Sequence, residues 1–319
     1  MAYTLLLGRF VIRYPDLPNQ GPEPDGDTIT FNPDDQDVIK GLPRSSRPPK
    51  FSGRGNIGIR LEAIDALETH FPKGPTWHQE KQGGEKARDE LLHRLGFRDV
   101  VFRNHKILSA SHDELPGYVL ANSIDPNGRV IGFIFAGGTA LDDAEVAPPL
   151  GAHGDSVTLD GELADRSVNS GLLAEGLVYP AFYGTLPPPL RTHLAAQSRA
   201  ARQSNLGLWP RSTADPNGPA RGVTKETIED LVIWPKLFRR AVAYFNEGNT
   251  NFDGFKAWLR KQARGGDDDE ILILEEEGDG EGSGGRLANL HDVVAASGTS
   301  LQLQVWPDAI VIEPKRGES

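Results

Sequence analysis

The sequence predicts an α+β protein: a small closed β-barrel of five strands with helices packed against it, followed by a second, smaller α+β unit. Three observations predict it. Five short runs rich in β-branched and aromatic residues fall within the first 135 residues, each bounded by Gly, Pro, Asn or Asp. Helical periodicity is interleaved with these runs and continues beyond them. A Pro/Gly-rich connector near residues 210–222 ends the pattern, and the chain beyond it differs in charge order and period.

The strands are expected at "YTLLLGRFVIRY" (3–14), "DTITF" (27–31), "NIGIRLEAID" (56–65), "GYVLANSI" (117–124) and "RVIGFIF" (129–135). Helices are expected at "GEKARDELLHRLGF", where Ala87, Leu91, Leu92 and Leu95 share one face, at the short "SVNSGLLAEGL" (167–177), and at 187–207, which opens on prolines and closes at Gly207. Five strands and three helices fit a small closed barrel. Loops at about 33–55, 72–83 and 136–166, rich in Gly, Pro or charge, read as insertions.

Residues 1–212 therefore form one expected domain, 213–223 a linker and 224–319 a second domain. In the second, two amphipathic helical segments are expected at about 224–246 and 251–264, with Pro235 interrupting the first. An acidic, glycine-rich segment (265–285) follows, with a short strand at "EILIL"; "RLANLHDVVAAS" reads as helix, and "SLQLQVW" and "AIVIEP" as strands.

Composition narrows the function. At 319 residues with 38% apolar content the chain can build a sizeable core. No apolar run approaches the roughly 18 residues that span a bilayer, and "YTLLLG" is too short for a secretory signal, so a soluble, cytoplasmic protein without membrane contact is expected. The absence of cysteine excludes disulfides, thiolate zinc sites and cysteine nucleophiles. The eight histidines lack the helical spacing of a metal site. The net charge of −11 is uneven: residues 265–282 hold nine acids and no base, whereas 236–264 carry seven bases against two acids.

Two carboxylates flank one glycine in "EPDGDTITF" (23–31). Asp-Gly between extended segments is a strong turn signal, and a turn alone would explain it; the alternative is that one carboxylate is aimed at a reaction centre. Downstream, "IRLEAIDALE" carries Arg60, Asp65 and Glu68, and "DPNGRVIGFIF" carries Arg129 just after a turn. Phosphodiester cleavage needs a cation near the phosphate, an oriented water and fixed positive groups where charge builds. Two aspartates, a glutamate and two arginines supply these, and hard oxygen ligands favour Ca²⁺ or Mg²⁺.

These residues at these spacings resemble the staphylococcal nuclease (thermonuclease) family. Asp25 to Thr28 is similar to its Asp-Gly-Asp-Thr strand entry, Arg60, Asp65 and Glu68 to its Arg-x-x-x-x-Asp-x-x-Glu, and Asn127, Gly128 and Arg129 to its hairpin. "SVNSGLLAEGLVYPAFY" resembles its Val-Asn helix with aromatic exit, and "SNLGLWP" its closing tryptophan, Trp209, so the likeness runs in order over residues 3 to 212. It implies an OB-type barrel with three helices and calcium-dependent cleavage of DNA and RNA. It further implies Asp27, Asp65 and the Ala66 carbonyl as metal ligands, Glu68 as the group that orients or deprotonates water, and Arg60 and Arg129 as the phosphate clamp.

Arg60 and Asp65 lie an odd number of residues apart, so they can face one phosphate only if the strand bends before Asp65. The chain departs from the family at its two pocket tyrosines, which fall near Phe182 and Gly184 with Tyr183 adjacent, and at the hairpin lysine, replaced by Pro126-Asn127. Phe182 and Tyr183 are the candidate substrate-stacking residues. Arg44, Arg47, Lys50 and Arg54 in the 43–56 loop are candidate contacts to a nucleic-acid backbone.

Other fragments carry less. "GRGNIG" (53–58) precedes a strand rather than opening a helix, so it fails as a dinucleotide loop. "EEEGDGEG" lacks the ligand order of an EF-hand. Leu231, Trp234, Phe238, Val242 and Phe245 are expected core, leaving a basic face to bind nucleic acid. The function expected is a metal-dependent nuclease, with a noncatalytic OB-fold binding module as the alternative; its C-terminal domain is a candidate site for a protein partner, and the acidic stretch 267–281 a candidate internal mimic of nucleic acid.

Overall fold

A computed structural model describes residues 2–17, 20–44, 47–71, 76–103, 105–137, 150–264, 270–274 and 285–313. Its strands are β1 (Ala2–Val11), β2 (Thr28–Pro33), β3 (Ile57–Leu61), β4 (Ala63–Asp65), β5 (Val101–Arg103), β6 (Lys106–Ser109), β7 (Glu114–Ile124), β8 (Val130–Ala136), β9 (Ser156–Thr158), β10 (Tyr179–Tyr183), β11 (Arg221–Gly222), β12 (Glu270–Leu274), β13 (Gly285–Asn289), β14 (Val294–Ser297), β15 (Ser300–Leu303) and β16 (Ile310–Ile312). Its helices are α1 (Gln36–Lys40), α2 (Lys81–Arg94), α3 (Gly161–Asp165), α4 (Val168–Ala174), α5 (Pro188–Gln203), α6 (Pro235–Asn246) and α7 (Phe255–Arg264).

The five expected strands close on themselves. The order β2-β3-β8-β7-β1 is completed by pairing of β1 with β2, and only β3 and β8 run parallel in that ring. Alternation explains the closure. Leu5, Phe10, Ile29, Phe31, Ile59, Leu61, Leu120 and Phe133 are all buried in one cluster, so each strand turns an apolar face to the barrel interior. Burial of one such side chain is worth roughly 1.5–3 kcal/mol, which sets the register. Helix α2 adds Ala87, Leu91 and Leu92 to this core, and α4 and α5 add Leu172, Leu173, Leu190 and Leu194.

The strand expected over 56–65 is broken. Ala63 takes φ +70°, a left-handed conformation that costs a non-glycine residue energy, and it separates β3 from β4. The expected bend before Asp65 is therefore present. From there β4 leaves the barrel to pair with β10. Of the expected insertions, 33–55 contains α1, 136–166 contains β9 and α3, and the end of 72–83 opens α2; residues 72–75 and 138–149 lie outside the described residues. The β5–β6 hairpin was not expected.

The C-terminal region differs from expectation in three places. Pro235 does not interrupt a helix; it starts α6, because its missing N–H costs nothing at a first-turn position, and 224–234 holds only a 3-10 turn at Ile228–Asp230. The segment expected to be helical at "RLANLHDVVAAS" forms β13, a 3-10 turn and β14, since its partners β12 and β15 stand ready to pair. The stretch 213–223 is anchored: Ala214 is buried, and β11 pairs with β15.

One sheet crosses the expected boundary. Its order is β13-β12-β16-β10-β4, with β16 parallel to β10 through Phe182↔Val311 and Tyr183↔Ile312. A second core likewise draws on both regions, joining Leu67, Trp77, Tyr179 and Trp209 to Trp234, Phe238, Val242 and Phe245. Trp209 meets Tyr179 edge-on at 5.3 Å, and the Tyr179 hydroxyl shares a 2.6 Å hydrogen bond with Ser212. No helix among the described residues is long and apolar enough to cross a membrane.

Candidate active site

The acidic turn is both a turn and an aimed group. Asp25 and Thr28 form an isolated bridge, with the Asp25 N–H donating to the Thr28 carbonyl at 3.0 Å. Gly26 is required there, because a Cβ at that position would stand 2.6 Å from Ala66 Cβ and 2.9 Å from Ala87 Cβ. The close approach brings Asp27 against Ala66, whose N–H donates to Asp27 Oδ2 at 2.8 Å.

Arg60 lies across the strand pair from Thr28. Its guanidinium contacts Asp27 through Nη1 and donates from Nη2 to Asp65 Oδ1 at 2.6 Å. The break at Ala63 makes this possible by returning Asp65 to the face that bears Arg60. Asp27 and Asp65 are buried. Burial alone would lower the Arg60 pKa, but the charges of Asp27 and Asp65 outweigh it and raise it.

Arg129 sits on the β7–β8 hairpin, whose turn places Gly128 at φ +82°. Its Nε and Nη2 both donate to Asp125 Oδ2 at 2.7 Å, and its Nη1 lies 3.5 Å from Thr28 Oγ1. Thr28 thus connects the two arginines of the expected clamp. Lys50 runs beside the same turn, its N–H donating to the Gly128 carbonyl at 2.8 Å.

Glu68 is held by its backbone. Fully buried Gln79 accepts its N–H at 3.1 Å, returns an N–H to its carbonyl at 2.8 Å, and donates from Nε2 to the Ile233 carbonyl at 2.7 Å. Burial raises the Glu68 pKa, Asp65 and Asp27 add to the rise, and Arg239 opposes it. Asp25 is pushed up to about 8 by desolvation and then by the charges of Asp27 and Glu68. Burial would raise Asp65 as well, but Arg239 and Arg60 overcome it and hold it down at about 2. One cluster therefore contains an acid kept neutral, an acid kept ionised and one between them, the graded protonation that acid–base chemistry uses.

The sequence analysis missed four residues here: Arg239, Asp125, Gln79 and Asn169. Arg239 projects from α6 into the cluster, donating from Nη2 to Asp65 Oδ2 at 2.6 Å, from Nη1 to Asp65 Oδ1 at 3.3 Å, and from Nη1 to Glu68 Oε1. The base-rich face of the 236–264 segment was the available signal, but nothing in it pointed to a carboxylate 171 residues away. The expectation that this face is left to nucleic acid is corrected for Arg239, which is engaged. Lys236 and Arg240 share its side of the helix and, with Phe71, Ala243 and Asn246, line a cavity of about 300 Å³.

Phe182 is also corrected. It is fully buried in the barrel core, because strand alternation turns it inward while its neighbour Tyr183 remains 43% exposed. Only Tyr183 can offer a ring to a ligand, and it lies within electrostatic reach of Arg60. Arg44 and Arg47 are exposed. Arg54 is committed elsewhere, ion-paired with Asp16 and lying 4.6 Å over the Tyr14 ring. The acidic segment 267–281 lies outside the described residues except for 270–274, which form β12.

The expected calcium ligands were tested against this geometry. Their carboxylate chemistry suits a hard divalent ion, but their arrangement does not. Asp65 gives both oxygens to arginines, and Asp27 gives one to Arg60 and one to the Ala66 N–H. Among the described residues no group of three or more His, Asp or Glu is placed to hold a metal ion. With Arg239 seated, the residues do not fit a metal. In comparison with known proteins, the chain matches no family model, and no curated protein matches it.

Proposed function

We propose that the protein is a phosphodiester hydrolase of the nuclease type, acting on DNA or RNA and related to the staphylococcal nucleases. One observation carries this reading. Asp27, Arg60, Asp65 and Glu68, which come from separate turns and strands, converge on one cluster, with Arg129 joined to it through Thr28.

In this reading Arg60 and Arg129 donate to the phosphoryl oxygens, where negative charge grows as water attacks. Glu68, with its raised pKa, accepts the proton of that water. Asp27 and Asp65 hold Arg60 at a fixed angle, and Asp125 does the same for Arg129. Tyr183 is the exposed ring available to a base.

A second reading, a noncatalytic OB-fold binding module, is favoured by burial of Phe182 and by the arginines that engage both Asp65 and Glu68. Cleavage of DNA and RNA followed on gels, with Ca²⁺, Mg²⁺ or chelator, separates the two. Hydrolysis predicts that Arg60→Lys and Glu68→Gln lose roughly tenfold to a thousandfold in rate, the scale of one lost transition-state donor. Wild-type rates in both variants, or no cleavage under any condition, would favour the binding module.

A further inference from the structure

We propose that Arg239 is a built-in competitor for a divalent cation, occupying the carboxylates that would otherwise bind it; this rests on the hydrolase reading above. One guanidinium spans Asp65 and Glu68 and takes hydrogen bonds to three of their oxygens. A dication drawing on Asp65 would need the lone pairs that Arg239 hydrogens hold. It would also stand within one bond length of the same carboxylate as Arg239, where two cations repel strongly in a buried site. The two occupants are therefore mutually exclusive.

The arginine is delivered by a rigid element. Leu237, Phe238, Ala241, Val242 and Phe245 bury the opposite side of α6 in the second core, so the helix cannot drift from the acids. The guanidinium itself ends a flexible stem whose side chain is 28% exposed, and it borders the 300 Å³ cavity along α6. Release needs a change of rotamer into that cavity and no opening of the fold. Because Arg239 also engages Glu68, its departure frees the proposed base in the same movement.

Calcium binding, measured by titration calorimetry with the ion alone, tests the competition in the full chain for wild type, Arg239→Ala, Arg239→Gln and the charge control Arg260→Ala. Loss of a charge-assisted competitor predicts calcium affinity roughly ten- to a hundredfold tighter for both Arg239 variants, with less than about a twofold change for Arg260→Ala. Should the Arg239 variants be too unstable for calorimetry, calcium should raise their melting temperature more than that of wild type. Equal or weaker calcium affinity in a folded Arg239 variant overturns the proposal. If cleavage persists in that case, the hydrolase reading survives; if the variant instead cleaves slowly, Arg239 is a phosphate ligand. Loss of both calcium binding and cleavage in every form overturns both readings.

Discussion

Glu62 is an acid in an apolar place, and its position follows from the chain break beside it. The left-handed turn at Ala63 leaves Glu62 5% exposed in the barrel wall, where Asn122, at the irregularity of β7, donates to its Oε1 at 2.8 Å. Burial pushes its pKa up to about 7, against which the Asn122 bond acts only weakly. Between about pH 4.5 and 7 the native state holds a proton that the unfolded chain has released, so stability is full below pH 4.5 and is lost as pH rises through 7. The loss is on the order of 3 kcal/mol. Glu62→Gln should remove that slope: urea unfolding at pH 5 and pH 8 should show a smaller difference for the variant than for wild type. Equal pH slopes would show that Glu62 does not titrate in this range.

At the scale of elements, helix α4 is the staple that holds the break in place. Asn169 is 1% exposed; its Oδ1 accepts the Ile134 N–H at 3.0 Å, and its Nδ2 donates to the Glu62 and Gly132 carbonyls at 2.9 and 3.1 Å. These bonds tie α4 to β8 and to the end of β3, so the site's geometry depends on a helix that touches none of its charged groups. Truncation leaves buried backbone groups unpaired at about 1–3 kcal/mol each. Asn169→Ala should therefore lower unfolding stability by roughly 2–4 kcal/mol in urea titrations and reduce cleavage beyond the loss of folded protein. A loss under about 1 kcal/mol would mean that water or relaxation replaces the staple.

At the scale of the molecule, the C-terminal region completes the N-terminal one. Truncation after Ser212 would strip β16 from the edge of β10 and uncover Leu67, Trp77, Tyr179 and Trp209. An unpaired strand beside an exposed aromatic patch invites association. The 1–212 fragment should melt well below the full chain or aggregate, by thermal scans and light scattering at matched concentration. A monomeric fragment with the melting temperature of the full chain would show that the barrel stands alone.

The barrel and most of the site's residues were legible because their signals are local. Period-two runs at 3–14, 27–31, 117–124 and 129–135 mark strands whatever lies elsewhere, and Gly26 between Asp25 and Asp27 declares a turn. Even the bend before Asp65 could be inferred, since Arg60 and Asp65 differ in parity. Segments whose structure depends on partners were not legible. "RLANLHDVVAAS" has apolar spacing that suits a helix, and the neighbouring strands β12 and β15 drew it into sheets instead. Phe182 and Tyr183 are adjacent aromatics, and only the packing of β10 against the core decides which one faces out. Charge pairing is the least local property of all. Sequence determined that α6 is amphipathic and basic, but a guanidinium has no partner until folding brings one within hydrogen-bond reach, so only tertiary structure could place Arg239 on Asp65 and Glu68.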